Sequence, residues 1–543
     1  MKFKIKNIIP AALMALTLTG TTSCIGDLDV NNINPQQVST LDKEALFNKI
    51  YANMVLTGQV GPDGNSDIAG ADEGAAGMLR QLWNANELCT DEAICAWGDA
   101  GLPEYNYNRW GDSHPMTSML YYRLMFGVTL TNFFLDQTSD EDDATATQRA
   151  EVRFMRALYY YYMMDIFGNP PMVTDMNTPQ PPQATRSEVF EFIEGELLSV
   201  LGENNAEGGK LPDAPVAQGR ASKAAANLLL ARLYLNAEVY TGKARWEEAR
   251  TYAQCVIDDS GWGLLTQGTG NYTAFQKLFM GDNSTNGAQK EIILPAMCDG
   301  DKTQSWGMLF LVAAMTNADI TADYPSGTSE AWGGNHCRLQ FSKQFMKSGE
   351  DALGDAENYT PDKVAKLAGD DRALFYTKDR TANMDDPTAF TSGYAYVKFT
   401  NVHSDGSASG DGGGKFIDTD FPVLRVAEAY LTYAEADARL NGGSCTTKGL
   451  EKLNALRERA HAKQFTSADL DEILSEWSRE FGFEARRRMD LIRFNKFGGQ
   501  SSYVWQYESG EEAGAPFDAH YNIYALPATD LNANPNLKQN PGF

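Results

Sequence analysis

Residues 223–257 read KAAANLLLARLYLNAEVYTGKARWEEARTYAQCVI, and this stretch decides the fold class. Helical spacing puts Ala224, Leu228, Ala231 and Leu235 on one face of its first half. Gly242 marks a turn, and Trp246, Ala249, Ala253, Val256 and Ile257 line a return helix. Small residues on both stripes let two backbones approach closely. The pattern predicts an antiparallel pair of helices over Lys223–Tyr240 and Trp246–Ile257. Cys255 falls inside the apolar pattern and reads as a buried thiol.

Such a pair resembles a tetratricopeptide unit with an enlarged turn. A second pair of the same style is predicted from Leu424 to Ala460, RVAEAYLTYAEADARL then NGGS then GLEKLNALRERA. A further helix is predicted over Asp469–Arg493, carrying Ile473, Trp477, Phe481 and Phe483. Upstream, Arg149–Phe167 (RAEVRFMRALYYYYMMDIF) is apolar on most faces and stops at Gly168-Asn169-Pro170-Pro171. That predicts a helix buried nearly all round. Arg186–Leu201 follows, with Ser187 as the expected N-cap and Val189, Phe190, Ile193, Leu197 and Leu198 on its inner face.

Two regions lack this periodicity, Gly61–Pro115 and Gly261–Phe421. Structureless loops of that length are improbable in a compact domain, so short helices and strands packed on the scaffold are expected there. The fold class is mainly α. A helical-hairpin scaffold is expected over about 116–260 and 421–495, with loop-rich insertions over about 61–115 and 261–420.

The chain has 543 residues, with 46 Lys+Arg against 72 Asp+Glu and a formal charge of −26. It shows no basic stripe that could overcome this, so nucleic acid is excluded as a partner. The N-terminus has the layout of a bacterial export signal. Lys2, Lys4 and Lys6 precede the apolar run IIPAALMALTL, then TGTTS, then Cys24. A Cys after small residues is the expected site of lipidation, although Thr21 stands where a lipobox usually has Leu. Residues 1–23 are read as a lipoprotein signal peptide and 24–543 as a single domain, with membrane contact only through the lipid anchor.

None of the six other cysteines forms a CxxC pair, and the five histidines show no paired spacing, so neither a zinc site nor a catalytic metal is expected. Asp63-Gly64-Asn65-Ser66-Asp67 and Asp282-Asn283 are candidates for a structural calcium ion, but neither has EF-hand spacing. No cofactor is otherwise expected. Arg486-Arg487-Arg488 is expected to pair with acids of the scaffold.

Several segments together resemble the SusD/RagB family of outer-membrane nutrient-binding lipoproteins of Bacteroidetes. They are RAEVRFMRALYYYYMMDIFGNPP, GRASKAAANLLLARLYLNA, FPVLRVAEAYLTYAEADARLNGG, LNALRERA, WSREFGFEARRRMDLIRF and YALPATDLNANPNLKQNPGF. Ala485 stands where the family usually has Gly, and Phe543 where it has Tyr. The N-terminal third, in CIGDLDV, TGQVGPDGNSDIAGADEGAAGMLRQLWNANELCTDEAICAW and TNFFLDQT, is similar to the family's starch-binding founder member.

The resemblance implies a non-catalytic lipoprotein on the outer-membrane surface. It would capture α-glucan (starch or malto-oligosaccharide) and deliver it to a TonB-dependent, SusC-like transporter. It also implies an aromatic arc of Trp97, Trp306 (a Tyr in the starch-binding member) and Trp332, with Asp72 and Arg80 as polar partners of sugar hydroxyls. Asp99, Ala100 and Gly101 occupy the stretch where that member has an Asn contact. Tyr324 and His336 lie near the arc in sequence.

The plainer readings stay open at this stage: the tryptophans as core residues, and Asp72 with Arg80 as a structural ion pair. So do a SusD-like binder of another glycan, a structural transporter subunit, and a glycoside hydrolase with two juxtaposed carboxylates.

Overall fold

The computed structural model describes residues 41–204, 209–345, 358–499 and 501–543. Cys24 and the export signal lie outside the described residues. Phe47–Phe543 forms one compact unit.

The predicted scaffold is present as α2 (Pro115–Gln137), α3 (Asp143–Phe167), α4 (Arg186–Leu201), α5 (Lys223–Leu235) and α6 (Trp246–Asp258), after α1 (Met78–Glu87). It resumes with α8 (Val426–Leu440), α9 (Thr447–Arg459), α10 (Leu470–Phe481) and α11 (Arg487–Arg493). Between them lies α7 (Trp306–Ala313). Helices packing on sequence neighbours include α2 on α3, α3 on α4, α5 on α6 and α8 on α9. Helix α6 also packs on α8, so the two hairpins form one stack and the 261–420 segment is an excursion from it.

Helix α3 is buried on most faces, as its pattern requires. Tyr159, Tyr160 and Tyr161 are at most 1% exposed, and each hydroxyl has a partner: Ile50 O, Val173 O and Tyr240 Oη. Gly127 of α2 lets the helices touch, because a Cβ there would lie 2.6 Å from the Tyr159 ring.

Some boundaries differ from expectation. Helix α3 begins at Asp143, six residues before Arg149, because Asp142 caps it by accepting from the Thr145 N–H at 2.7 Å. Thr185, not Ser187, caps α4, in a reciprocal box with Glu188. Helix α5 ends at Leu235, and a short helix Ala237–Thr241 leads to Gly242, whose φ is 73°. Cys255 is exposed: Ala249, Ala253 and Val256 form the buried stripe of α6, and residue 255 falls outside it.

Among the described residues six short strands form three antiparallel pairs, five of the strands in the loop-rich segments and the sixth at the start of the second scaffold part. Strand β1 (Ala93–Cys95) pairs with β3 (Asn335–Cys337), β2 (Ile292–Ala296) with β6 (Phe421–Arg425), and β4 (Phe375–Tyr376) with β5 (Ala395–Tyr396). Leu424 and Arg425, expected in a helix, belong instead to β6.

The helix expected over Asp469–Arg493 is broken between α10 and α11. Phe483 and Ala485 adopt φ of 64° and 62°, and the buried Lys398 ammonium donates to the carbonyls of Glu480, in the last turn of α10, and Gly482, at the start of the break. Left-handed φ explains why Gly is usual at 485.

A buried ionic network surrounds this break. Arg425 bonds Glu484, Glu480 and Glu291; Arg459 bonds Glu291 and Glu480; Arg372 bonds Asp370, Glu476 and Glu480. Arg486 and Arg488 pair with scaffold acids, Asp490 and Asp165, as expected, whereas Arg487 pairs with Asp91 of the 61–115 segment. Burial alone would raise the Glu476 carboxyl, but the guanidiniums of Arg372, Arg479 and Arg457 overrule it and hold the pKa at about 2.

Two outcomes are expected. Ala485→Gly should raise the denaturant midpoint by the equivalent of ~1 kcal/mol, the left-handed cost carried by a Cβ. Because the Glu476 pKa is depressed from 4.5 in the folded state, its stabilisation is present above that value and is lost as pH falls toward 2. Glu476→Gln should therefore cost ~3 kcal/mol at neutral pH and give a shallower fall of melting temperature between those pH values.

Candidate glycan-binding surface

The β1–β3 pairing builds the first part of the site. Ala93 faces Cys337 and Cys95 faces Asn335, so the residues just beyond the ladder, Trp97 on one strand and Trp332 to Gly334 on the other, must meet. The Ala96 N–H donates to Gly334 O at 2.8 Å, and Trp97 Nε1–H donates to Gly333 O at 3.2 Å. Gly334 is required here, since a Cβ would sit 2.4 Å from the Trp97 ring.

Helix α7 supplies the third ring at its first position. The N–H groups of Trp332, Gly333 and Gly334 donate to the carbonyls of Ala313, Thr316 and Ala314 at the other end of α7, which fixes the Trp332 loop relative to Trp306. Ring centroids are 6.4 Å apart for Trp97–Trp332 and 6.2 Å for Trp306–Trp332. Trp332 is thus the middle member of a continuous, half-buried array. Trp83, Trp477 and Trp505, by contrast, are core residues at 0–1% exposure.

The polar pair flanks this array through α1. Gly77 and Gly307 let α1 and α7 approach, each with its Cβ direction 3.5 Å from the other's Cα. Arg80, in the first turn of α1, stacks its guanidinium 5.0 Å from the Phe310 ring centre and donates to Gly74 O at 2.8 Å. Burial lowers the Arg80 pKa, with Cys95, Asp72 and Asp99 opposing it. Asp72 is exposed and accepts from the Ala75 N–H at 2.8 Å. No Asp72–Arg80 ion pair is formed among the described residues; each is held by the 72–75 turn, next to Trp306.

Tyr324 and His336 stand apart from the array. Tyr324 packs with Ile320, Tyr376, Ala395 and Val397. His336 is fully buried in β3, and burial pushes its pKa down to about 3.

The structure adds residues that sequence reading missed. Trp306 Nε1–H donates to Asp63 Oδ1 at 3.0 Å and Trp332 Nε1–H to Glu330 Oε2 at 2.9 Å. Lys415 Nζ lies 4.2 Å from the Trp306 ring centre, and Phe416 meets that ring edge-on at 5.0 Å. Glu330, two residues before Trp332, was within reach of inspection, whereas the Gly-rich sequence before Lys415 carries no signal.

The two stretches considered for calcium have other partners. Asp67 pairs with Lys49 and Arg123; Asn283 donates to Leu278 O and Asp420 O; Asp282 accepts from Ser404 and Asn286. Among the described residues no three His, Cys, Asp or Glu side chains are grouped so as to hold a metal ion.

Comparison with known proteins gives concordant results. The model of the SusD family matches residues 267–543, and a second model, described as starch-binding associating with outer membrane, matches residues 28–235. The chain is 38% identical to the starch-binding protein SusD of Bacteroides thetaiotaomicron over 570 residues, covering 99% of each.

The chain belongs to the SusD family.

A SusD-like protein of Bacteroides ovatus is 25% identical over 68% of this chain and 64% of its own. Among solved structures, a SusD superfamily protein from Parabacteroides distasonis superposes with a TM-score of 0.67 at 20% identity, over 94% of this chain and 100% of that one. Surface glycan-binding protein A from Bacteroides thetaiotaomicron, solved with laminarihexaose, gives 0.64 at 18% identity over 92% and 98%. These likenesses establish the mainly helical SusD fold.

Gly334→Ala tests the geometry of the array. The added methyl should displace the Trp97 ring, weaken the near-UV circular dichroism of the coupled indoles, and cost about 1–3 kcal/mol in stability.

Proposed function

We propose that this chain is a cell-surface lipoprotein that captures α-glucan, starch or malto-oligosaccharide, and passes it to a TonB-dependent, SusC-like transporter. The observation that carries the reading is the half-buried array of Trp97, Trp332 and Trp306, assembled from three distant segments and supported by Phe310. A curved row of indoles offers flat apolar faces to the C–H faces of successive pyranose rings. Arg80 and Asp72 flank the row with a donor and an acceptor for hydroxyls.

The 38% identity to a starch-binding protein over the whole length supports α-glucan as the ligand. SusD-family proteins bind carbohydrate without catalysing its breakdown, and this chain is not an enzyme. The match to a family described as associating with the outer membrane supports placement on that membrane. No described helix is long and apolar enough to cross a membrane.

A second reading, a different glucan linkage, is favoured by one specific observation: a neighbour of the same fold was solved with laminarihexaose.

Affinity electrophoresis in gels containing soluble starch tests the proposal. The wild type should be retarded, and Trp306→Ala with Trp332→Ala should abolish retardation, at least ~30-fold in Kd or ~2 kcal/mol, with the helical circular-dichroism signal intact. Unretarded wild type would refute α-glucan binding, and equal retardation of the double variant would refute the site. Retardation in laminarin gels alone would establish the second reading.

A further inference from the structure

We propose that Asp63 and Glu330 are specificity residues that restrict the aromatic array to uncharged glycan chains. The inference rests on the glycan-binding reading of that array and adds the class of chain it accepts.

The argument starts from the indole edges. Trp306 and Trp332 each donate their only polar hydrogen to a carboxylate, Asp63 at 3.0 Å and Glu330 at 2.9 Å. Each carboxylate therefore stands at the margin of a ring on which a sugar would stack. Asp63 is exposed and Glu330 half-buried.

Two more acids lie close by. Asp72 is exposed beside Gly74, whose Cβ direction ends 3.5 Å from Trp306 Cβ. Asp99 is exposed two residues after Trp97, and its charge is felt at Arg80. Among the described residues, two cations are placed against the array beside these four carboxylates. Arg80 is held by Gly74 O and the Phe310 face, and Lys415 lies over the Trp306 ring.

A neutral pyranose can donate its hydroxyls to such a rim. A chain bearing carboxylates or sulfates brings like charge within a ring's width of Asp63 and Glu330. Like-charge juxtaposition at this rim weakens binding, and this penalty supplies discrimination that stacking alone lacks, because a uronic acid ring has the same apolar faces as glucose.

Isothermal titration of the purified protein with two matched pairs tests this: soluble amylose against carboxymethyl-amylose, and laminarin against carboxymethyl-laminarin. For whichever backbone binds, the wild type should prefer the neutral chain by at least ~10-fold at low salt, and the preference should shrink several-fold near ~0.5 M salt. In Asp63→Asn with Glu330→Gln, amide oxygens still accept the indole hydrogens but the charges are gone. The neutral-to-anionic affinity ratio should then fall at least ~5-fold, with each single variant giving part of the effect.

A wild-type ratio near one overturns the inference alone. So does a ratio that the double variant leaves unchanged: if salt moves it, the acidic chain as a whole repels the polyanion, and if salt does not, exclusion is steric. Failure to bind either neutral chain overturns the proposed function and this inference with it.

Discussion

The guanidinium of Arg425 is wholly buried and bonds three carboxylates, those of Glu484, Glu480 and Glu291. Such an arrangement persists only if every partner is in place, because one unmatched charge in this interior would cost several kcal/mol. The constraint acts across the chain. Arg425 ends β6, Glu291 precedes β2, Glu480 lies in α10 and Glu484 in the break before α11. Arg459 of α9 and Arg372 of the insertion meet the same Glu480. The insertion is therefore locked to the helical stack by charge pairing as well as by apolar packing.

The same frame reaches the aromatic array through β1. Asp91 is gripped by Arg487 at 2.7 Å, while Glu92 accepts from Ser478 Oγ at 2.6 Å and from the Phe483 N–H. Burial pushes the Glu92 carboxyl up to about 7. Arg338, fully buried just after β3, donates to Ala93 O and Asn106 O. Both strands that carry Trp97 and Trp332 toward each other are thus anchored at their inner ends. A second route runs through rings: Trp83 donates to Phe483 O and packs edge-on against Phe310, on which Arg80 and Trp97 also rest.

Periodicity was enough to read the scaffold, because burial against neighbouring helices imposes the 3.6-residue pattern seen in α3, α4, α5 and α6. It failed where charge pairing overrides propensity. Leu424 and Arg425 continue an apolar helical pattern, yet β2 and the carboxylates around Arg425 hold them in a strand. The α10–α11 break begins at Gly482, and its Gly482 carbonyl accepts from Lys398, a residue more than eighty positions away that no local pattern links to it. Trp97, Trp306, Trp332, Asp72 and Arg80 could be named through resemblance to the family, and the structure brings all five together. Glu330, beside Trp332 in sequence, was within reach; Asp63, read only as a calcium candidate, and Lys415 were not, since their placement depends on loops whose paths no local pattern encodes.

Rigidity is the property of this array that bears most on the proposed glycan-binding role. A binding site made of mobile aromatic side chains must order each of them when a ligand arrives, at about 0.5–1.5 kcal/mol apiece. Here all three indole N–H groups already have acceptors, Gly333 O, Asp63 and Glu330, and Trp332 is wedged between the other two rings. Trp306 opens α7, so its backbone cannot drift without moving Phe310 four residues later, which supports Arg80 and Trp97. A Tyr at 306, as in the starch-binding member this chain resembles, would present a smaller face and a hydroxyl in place of the indole N–H that reaches Asp63. Trp at this position couples the width of the stacking face to the loop that carries Asp63, so the acid at the rim and the ring it borders are set by one hydrogen bond.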